Sequence, residues 1–311
     1  MKTLFLFLLL FTLQTGVQSL TQTQSKSVSR LGLQWIGGPT TLLNLGAFRF
    51  LTDPMLSQQG DSAFILPKHP STGQVNALIR RITAIPAFRL SPLDAVLISH
   101  DHTDHFDREA KKQLDKGTLL IVLPNTQKKV QKEGFRNVVV LDWNESYEVK
   151  KASETVRITA VKAFRAHDST LNAALGKGNG YIMQYTNNLQ TYTIYWTGDS
   201  IWQEDLKEVK TKFPPIDLLL PYVGAVGQNG TPGFRTMDAQ EALQLVEFIR
   251  PTQVIPIHHT TFGHYVEPMG AFEKLSREKG YSAIIRILAE GESVDLRLRN
   301  VTGVNNRTNK R

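Results

Sequence analysis

Apolar positions along the chain come mostly in short runs of five to ten residues, broken by glycine, proline and asparagine, which is the spacing of strands rather than of long helices. Residues 31–36 (Leu-Gly-Leu-Gln-Trp-Ile) predict a strand, and 40–45 with 47–52 predict a hairpin turning near Asn44-Leu45-Gly46. The run 94–99 is a short apolar strand that stops at His100, and 119–123 and 137–141 read the same way. Over 155–164, Val156, Ile158 and Ala160 alternate with Arg157 and Thr159, so one face is buried. A second hairpin is expected from 180–186 and 191–197 around Asn187-Asn188, with further strands at 216–220 and 254–257 and a closing strand or hairpin over 284–299. Helical signals lie between these runs. Asp107 caps a helix over 108–115, and another covers 126–133. Ser200, with Gln203 at the capping-box position, predicts a helix start after Asp199. Thr236 or Asp238 starts a helix ending near Ile249, on which Ala242, Leu245, Val246 and Ile249 share a face, and 268–279 forms a last helix.

Strands dominate early and strand–helix alternation follows, so the expected architecture is α/β, with sheets covered by helices on their outer faces. No repeat and no linker divides the chain. The exception to regular spacing is 58–90, which holds Pro67, Pro70, Gly73 and Pro86 and a possible short helix around 75–81. It is too long for an ordinary connection and is either a flap over the active site or a packed surface excursion.

The ends change the picture of where the chain works. Lys2 precedes an almost unbroken Leu/Phe run over 4–13, and Val17-Gln18-Ser19 offers small residues at cleavage spacing. That is the layout of a signal peptide over 1–19, too short to span a bilayer, and it predicts an exported chain, periplasmic or secreted. No later stretch is apolar for long enough to cross a membrane. Residues 20–30 read as a flexible polar leader, 31–305 as a single domain, and 306–311 as a polar tail. With 41% hydrophobic and 21% charged residues, the chain has the composition of a soluble globular protein with a sizeable core. Its net charge of +8 is scattered, without a basic stripe interleaved with aromatics, which argues against nucleic acid as a partner. There is no cysteine, so any metal site must use His, Asp or Glu.

The histidines supply the chemistry. Of eight, seven fall in three places: 100, 102 and 105; 167; and 258, 259 and 264. The first group reads His100-Asp-His102-Thr-Asp104-His105 directly after a strand. Three imidazoles and the carboxylates of Asp101, Asp104 and Asp107 crowd eight residues, an arrangement that calls for compensating cations. His167, Asp199 and His258 each follow another expected strand, so strand-end loops can bring them to one rim. Imidazole and carboxylate suit zinc first, with manganese or iron also compatible.

The series Trp35-Ile36-Gly37, Leu51-Thr52-Asp53-Pro54, His100-x-His102-x-Asp104-His105, Thr197-Gly198-Asp199-Ser200 and Ile255-Pro256-Ile257-His258 resembles the metallo-beta-lactamase fold superfamily over nearly the whole chain. Within it, the likeness is to ascorbate-6-phosphate lactonase-like and N-acyl-phosphatidylethanolamine phospholipase D-like proteins. The resemblance implies an αββα sandwich, two mixed sheets face to face with helices outside. It implies two divalent metal ions, the first on His100, His102 and His167, the second on Asp104, His105 and His258, with Asp199 bridging. Asp53 would orient ligands from behind. Asp104 and Asp199 would also orient a metal-activated water for hydrolysis of an ester, lactone or amide. A phosphodiesterase of the phospholipase D kind is the alternative, so the substrate is a small or lipid-like molecule; a metal-stabilised binding protein without turnover is the remaining reading. Many relatives carry histidine where this chain has Gly38. His258 is followed by His259, and either can be the ligand, the alignment to Ile-Pro-x-His favouring His258; His259 and His264 either face substrate or are plain rim histidines.

Overall fold

The computed structural model describes residues 30–61, 64–65, 68, 70, 73, 77–188, 190–227 and 235–296. The signal peptide expected over 1–19, the polar leader up to residue 29 and the tail over 306–311 lie outside them. The chain opens with an antiparallel meander of β1 (Leu31–Gly37), β2 (Thr40–Leu45) and β3 (Phe48–Thr52). Three parallel strands extend this sheet: β4 (Ala95–Leu97), then α1 (Arg108–Gln113), β5 (Leu120–Val122), α2 (Gln127–Lys132) and β6 (Val138–Val140). A second sheet begins with β7 (Ser146–Lys151) and β8 (Glu154–Ala163), followed by α3 (Ser169–Leu175) and the hairpin of β9 (Gly178–Thr186) and β10 (Thr191–Trp196). It is completed through α4 (Lys207–Lys212), β11 (Leu218–Leu220), α5 (Ala239–Ile249) and β12 (Gln253–Val254), before α6 (Met269–Glu278). The short β13 (Ser293–Asp295) returns to pair with β1. The two sheets run β13-β1-β2-β3-β4-β5-β6 and β12-β11-β10-β9-β8-β7.

Burial explains the layers. Leu33, Trp35, Phe48 and Phe50 of the first sheet meet Ile158, Met183, Ile194 and Trp196 of the second in a shared core between the sheets. On the outer face of the first sheet, Leu42, Leu51, Val96 and Leu120 pack under Ala110 of α1 and Val130 of α2. On the outer face of the second, Ile182, Tyr195 and Leu219 pack under Ala242, Leu245, Val246 and Ile249 of α5 and Phe272 of α6. The inner parallel strands β4 and β5 are covered on both faces, which is why they read as continuous apolar runs. This is the α/β sandwich expected.

Two local expectations fail. Ser200 does not cap a helix: its Oγ accepts from Phe164 N, the chain stays extended through Gln203, and a 3-10 turn at Glu204–Leu206 precedes α4. No helix appears in the described part of 75–81; Ile79 bridges Phe64 and Arg81 bridges Phe262. In the described part of 58–90, Phe64 and Ile79 are buried with Met55, Val226 and Phe262, so this part is a packed excursion. The elements β7 and α3 had no distinct signal in the sequence pattern.

Candidate metal centre

Strand-end loops converge on one cluster. Asp53 follows β3, His100 to His105 follow β4, Arg165 and His167 follow β8, and Asp199 follows β10. His258 follows the bridge that joins Ile257 to Tyr222. Asp53 and His258 adopt φ of 31° and 64°, a region that non-glycine residues enter only when their surroundings fix them. The His258 N–H is fixed by the Gly38 carbonyl at 2.8 Å. Gly198 sets the entry to Asp199: its φ is +60°, and a Cβ there would lie 2.5 Å from the Asn179 carbonyl oxygen.

Asp53 is fully buried and engages the His105 ring on the side away from Asp199. Its carboxylate accepts from Ser99 N at 2.7 Å, Ser99 Oγ at 2.5 Å, Tyr222 Oη at 3.0 Å and His105 Nδ1 at 2.7 Å. Engaging Nδ1 turns His105 Nε2 toward Asp199 Oδ1 at 3.2 Å and Asp104 Oδ2 at 3.7 Å. His258 Nε2 lies 3.6 Å from the same Asp199 oxygen, and its ring stacks on Tyr222 at 4.6 Å. His100 Nε2 lies 3.6 Å from the other Asp199 oxygen.

The donor atoms are buried and face one another. His105 Nε2 and Asp199 Oδ1 meet at 3.2 Å with no further partner, and among the described residues neither His258 ring nitrogen has a hydrogen bond of normal geometry, although buried polar atoms normally have one. His105, Asp199 and His258 form one group whose ligand atoms all lie within 4.8 Å of one another, and His100, Asp104 and His105 form another. Orphaned nitrogen and carboxylate oxygen facing one another is the donor set a divalent ion satisfies, so the residues fit a metal here. The electrostatics agree. Burial alone would lower the His105 pKa, but Asp199, Asp104 and Asp53 hold it well above its ordinary value. Burial would raise Asp199, yet His105 and His258 hold it far below the carboxylate range. Burial pushes His258 down to about 3 and, helped by Arg165, His102 down to about 2. Both imidazoles are therefore neutral, the form that ligates metal.

Six of the seven expected ligands are brought together: His100, His102, Asp104, His105, Asp199 and His258. His167 is not. Its Nε2 pairs with Glu241 on the first turn of α5, its Nδ1 accepts from Gln203 Nε2 at 3.4 Å, and its side chain is 47% exposed. The place expected for it is taken by Arg165, two residues earlier. Arg165 Nη2 donates to His100 Nε2 and His102 Nδ1, both at 3.0 Å, and lies 3.5 Å from Asp199 Oδ2. Its Nη1 donates to the Leu175 carbonyl at the end of α3, 2.8 Å away. The three-donor cradle of His100, His102 and Asp199 thus holds a guanidinium, and the complete first-metal set is not assembled.

The His259 ring packs on Trp35 at 4.4 Å and its Nδ1 bonds Thr260 Oγ1. His264 is buried beside Tyr265 and 6.3 Å from the His258 ring, on the metal side. Gly38 could not carry the relatives' histidine, because a Cβ there would lie 2.9 Å from Phe262 and 3.1 Å from Tyr265 Oη. Sequence reasoning missed Arg165, Tyr222, Ser99 and Arg235. Ser99 and Tyr222 sit at strand ends beside ligands, which was a usable signal; neither arginine had one.

Comparison with known proteins agrees with the geometry. A profile described as the beta-lactamase superfamily domain matches residues 32–258. The chain is 25% identical over 265 residues to UPF0173 protein YddR of Bacillus subtilis (strain 168), covering 85% of this chain and 99% of that protein. It is 26% identical over 277 residues to N-acyl-phosphatidylethanolamine-hydrolyzing phospholipase D 1 of Caenorhabditis elegans, covering 83% and 73%. Among solved structures, isothiocyanate hydrolase from Delia radicum gut bacteria shares the fold, with a TM-score of 0.70 at 23% identity over 85% of this chain and 98% of that one. The chain belongs to the metallo-beta-lactamase superfamily, and by class it is a metal-dependent hydrolase.

Proposed function

We propose that the chain uses divalent metal, zinc first among the candidates, to hydrolyse an ester, lactone or amide bond of a small or lipid-like substrate. The observation that carries this is the buried, mutually facing donor set of His105, Asp199 and His258, with Asp104 beside it. A bound ion would supply Lewis-acid polarisation and lower the pKa of its water toward about 7. The protein does the rest. Asp53 fixes the His105 ring through Nδ1, Tyr222 braces both Asp53 and the His258 ring, and Asp104 and Asp199 would orient a water while holding metal. Site closure by Phe262 and Tyr265 limits bulk water. A dinuclear centre of the expected kind requires Arg165 to withdraw from His100, His102 and Asp199. The 1–19 leader supports export before the enzyme acts.

A phosphodiester substrate is the second reading. A cavity of about 320 Å³ reaches Thr103 of the metal-motif loop, with Met55, Phe64 and Phe106 in its wall and Arg108, Lys111 and Lys116 at its edge. An apolar wall with cations suits an amphiphilic anion such as a phospholipid.

The test is a screen of chromogenic ester, lactone, amide and phosphodiester substrates after chelation and metal re-addition, with Asp104→Ala and Asp199→Ala as blanks. Turnover should return with metal and be lost in both variants, together with bound metal. Full metal content in Asp199→Ala, or turnover indifferent to chelation, would refute the assignment.

A further inference from the structure

Three arginines are buried near the centre: every nitrogen of the Arg81 guanidinium is bonded, and Arg165 leaves only Nε without a partner among the described residues. Arg81 donates to the Ile36, Met55 and Thr83 carbonyls and to Glu290. Arg165 donates to Leu175, His100, His102 and Asp199. Arg235 is different. It is 2% exposed, yet Nε, Nη1 and Nη2 all lack a hydrogen-bond partner. Its backbone partner Val226 packs with Phe262 against Tyr265, whose ring lies 4.9 Å from His258, and the attraction of Asp104 and Asp199 for its charge agrees with a place on that side of the cluster. The backbone holds it there: Arg235 N donates to the Val226 carbonyl at 2.6 Å, and Val226 N donates to Thr236 Oγ1 at 3.0 Å. The adjoining Gly224 leaves room for the His258 carbonyl, which would lie 2.8 Å from a Cβ there.

Other unspent donors stand on the same side. His264 has both ring nitrogens unpartnered, and Tyr265 Oη is unpartnered as well. The His264 and Tyr265 rings are 4.4 Å apart, and Tyr265 lies 4.9 Å from the His258 ring. Asp104 and Asp199 do not use these donors: they face His105 and His258 instead. A buried guanidinium without partners is costly to keep, whereas its planar fork matches a carboxylate or phosphate through two parallel hydrogen bonds.

We infer that Arg235, with His264 and Tyr265, forms an oxyanion subsite beside the metal donors, taking a phosphate or carboxylate group that the substrate carries next to the bond to be cleaved. This rests on the hydrolase reading and narrows its substrate to an anion. It makes Arg235 a determinant of specificity, distinct from the ligands that hold metal.

The test uses the metal-loaded full chain and two probes, inorganic phosphate and acetate, titrated calorimetrically into wild type, Arg235→Gln, Arg235→Lys and Tyr265→Phe. Metal content is measured on each. Arg235→Gln should keep its metal and bind the preferred anion roughly tenfold more weakly or worse, the scale of a lost bidentate charged contact. Arg235→Lys should recover part of the phosphate binding, and Tyr265→Phe should lose a smaller factor. Whichever anion wild type binds more tightly identifies the source, phosphate ester or carboxylate. Equal anion affinity in wild type and Arg235→Gln, or no binding of either anion by wild type, overturns the inference. Because binding is read without turnover, it can stand where every screened substrate fails; conversely, neutral esters cleaved equally well by wild type and Arg235→Gln, with no anion effect, leave the hydrolase reading intact and sink this one.

Discussion

Replacing Arg165 with methionine should move two quantities in opposite directions. The side chain keeps an unbranched apolar stem but loses the guanidinium that bonds His100 and His102 at 3.0 Å each and approaches Asp199 at 3.5 Å. Hydrogen bonds from a charged donor contribute about 1.5–3 kcal/mol each. A metal entering the His100/His102/Asp199 cradle must first break two of them, at a cost of about 3–6 kcal/mol, or a weakening on the order of 10²–10⁴-fold. Wild type is therefore expected to load metal in two well-separated steps, and Arg165→Met to bring the second step close to the first. The metal-free variant should lose stability, since removing one partner of a buried ion pair costs about 3–5 kcal/mol. For a chain of this size that lowers Tm on the order of 5–10 °C. Chelator-competition titration with elemental analysis reads the first effect, and thermal unfolding of the chelated protein reads the second. A wild type that takes both ions with one affinity, and an Arg165→Met that changes neither curve, would refute the reasoning.

Asp53→Ala should weaken metal binding by roughly 10–100-fold, because His105 loses the bond that fixes its ring, while the sheets stay folded; circular dichroism alongside metal titration separates the two. Gly198→Ala forces a side chain into φ +60° and to within 2.5 Å of the Asn179 carbonyl, and should cost at least about 1–3 kcal/mol, read as a lowered denaturation midpoint with an unchanged m-value. The metal-free chain should also lose stability in acid. His258 and His259 are held at about 3 and about 4 when folded, against an ordinary imidazole value of about 6.5, so the unfolded chain binds more protons between those limits and stability falls as pH drops from about 6.5 toward 3. His105 contributes with the opposite sign: its folded value is raised, so its stabilisation is present below the unfolded value and lost as pH rises through the folded one. Urea midpoints that stay flat from pH 7 to pH 4.5 would contradict the first of these two assignments.

Much of the sandwich was legible because its strands are short and differently dressed. Residues 95–98 are apolar throughout, since β4 is covered on both faces, whereas β8 alternates only where exposed Arg157 separates buried Val156 and Ile158. Asp107 and Asp238 marked helix starts correctly because an aspartate side chain can cap only the residues that follow it locally: Asp107 accepts from Ala110 N and Asp238 from Glu241 N. Ser200 offered the same local signal and failed, since its hydroxyl is drawn instead to Phe164 N on a neighbouring strand end. The strand β7 was obscured because four of its six residues are exposed, leaving no apolar face to read.

The histidine cluster was legible for a similar reason: His100 to His105 lie within one turn of chain, so spacing alone sets their proximity. The loop after β8 is a different case. Arg165 and His167 sit two residues apart, and which of them enters the cradle depends on partners far away in sequence, Leu175 and Asn172 for the first and Glu241 for the second. Spacing carries no record of that competition. Charge gives it a direction. Three buried carboxylates, Asp53, Asp104 and Asp199, face one imidazolium, His105, and the Arg165 guanidinium. Each divalent ion that enters adds positive charge to a cluster already near balance, so loading must release the His105 proton, move Arg165 outward, or do both. The loop after β8 is thus coupled to metal occupancy by the same electrostatics that hold the empty-handed cluster together, and the two arginines divide the work: Arg165 balances the ligands, while Arg235 is left free for whatever anion the substrate brings.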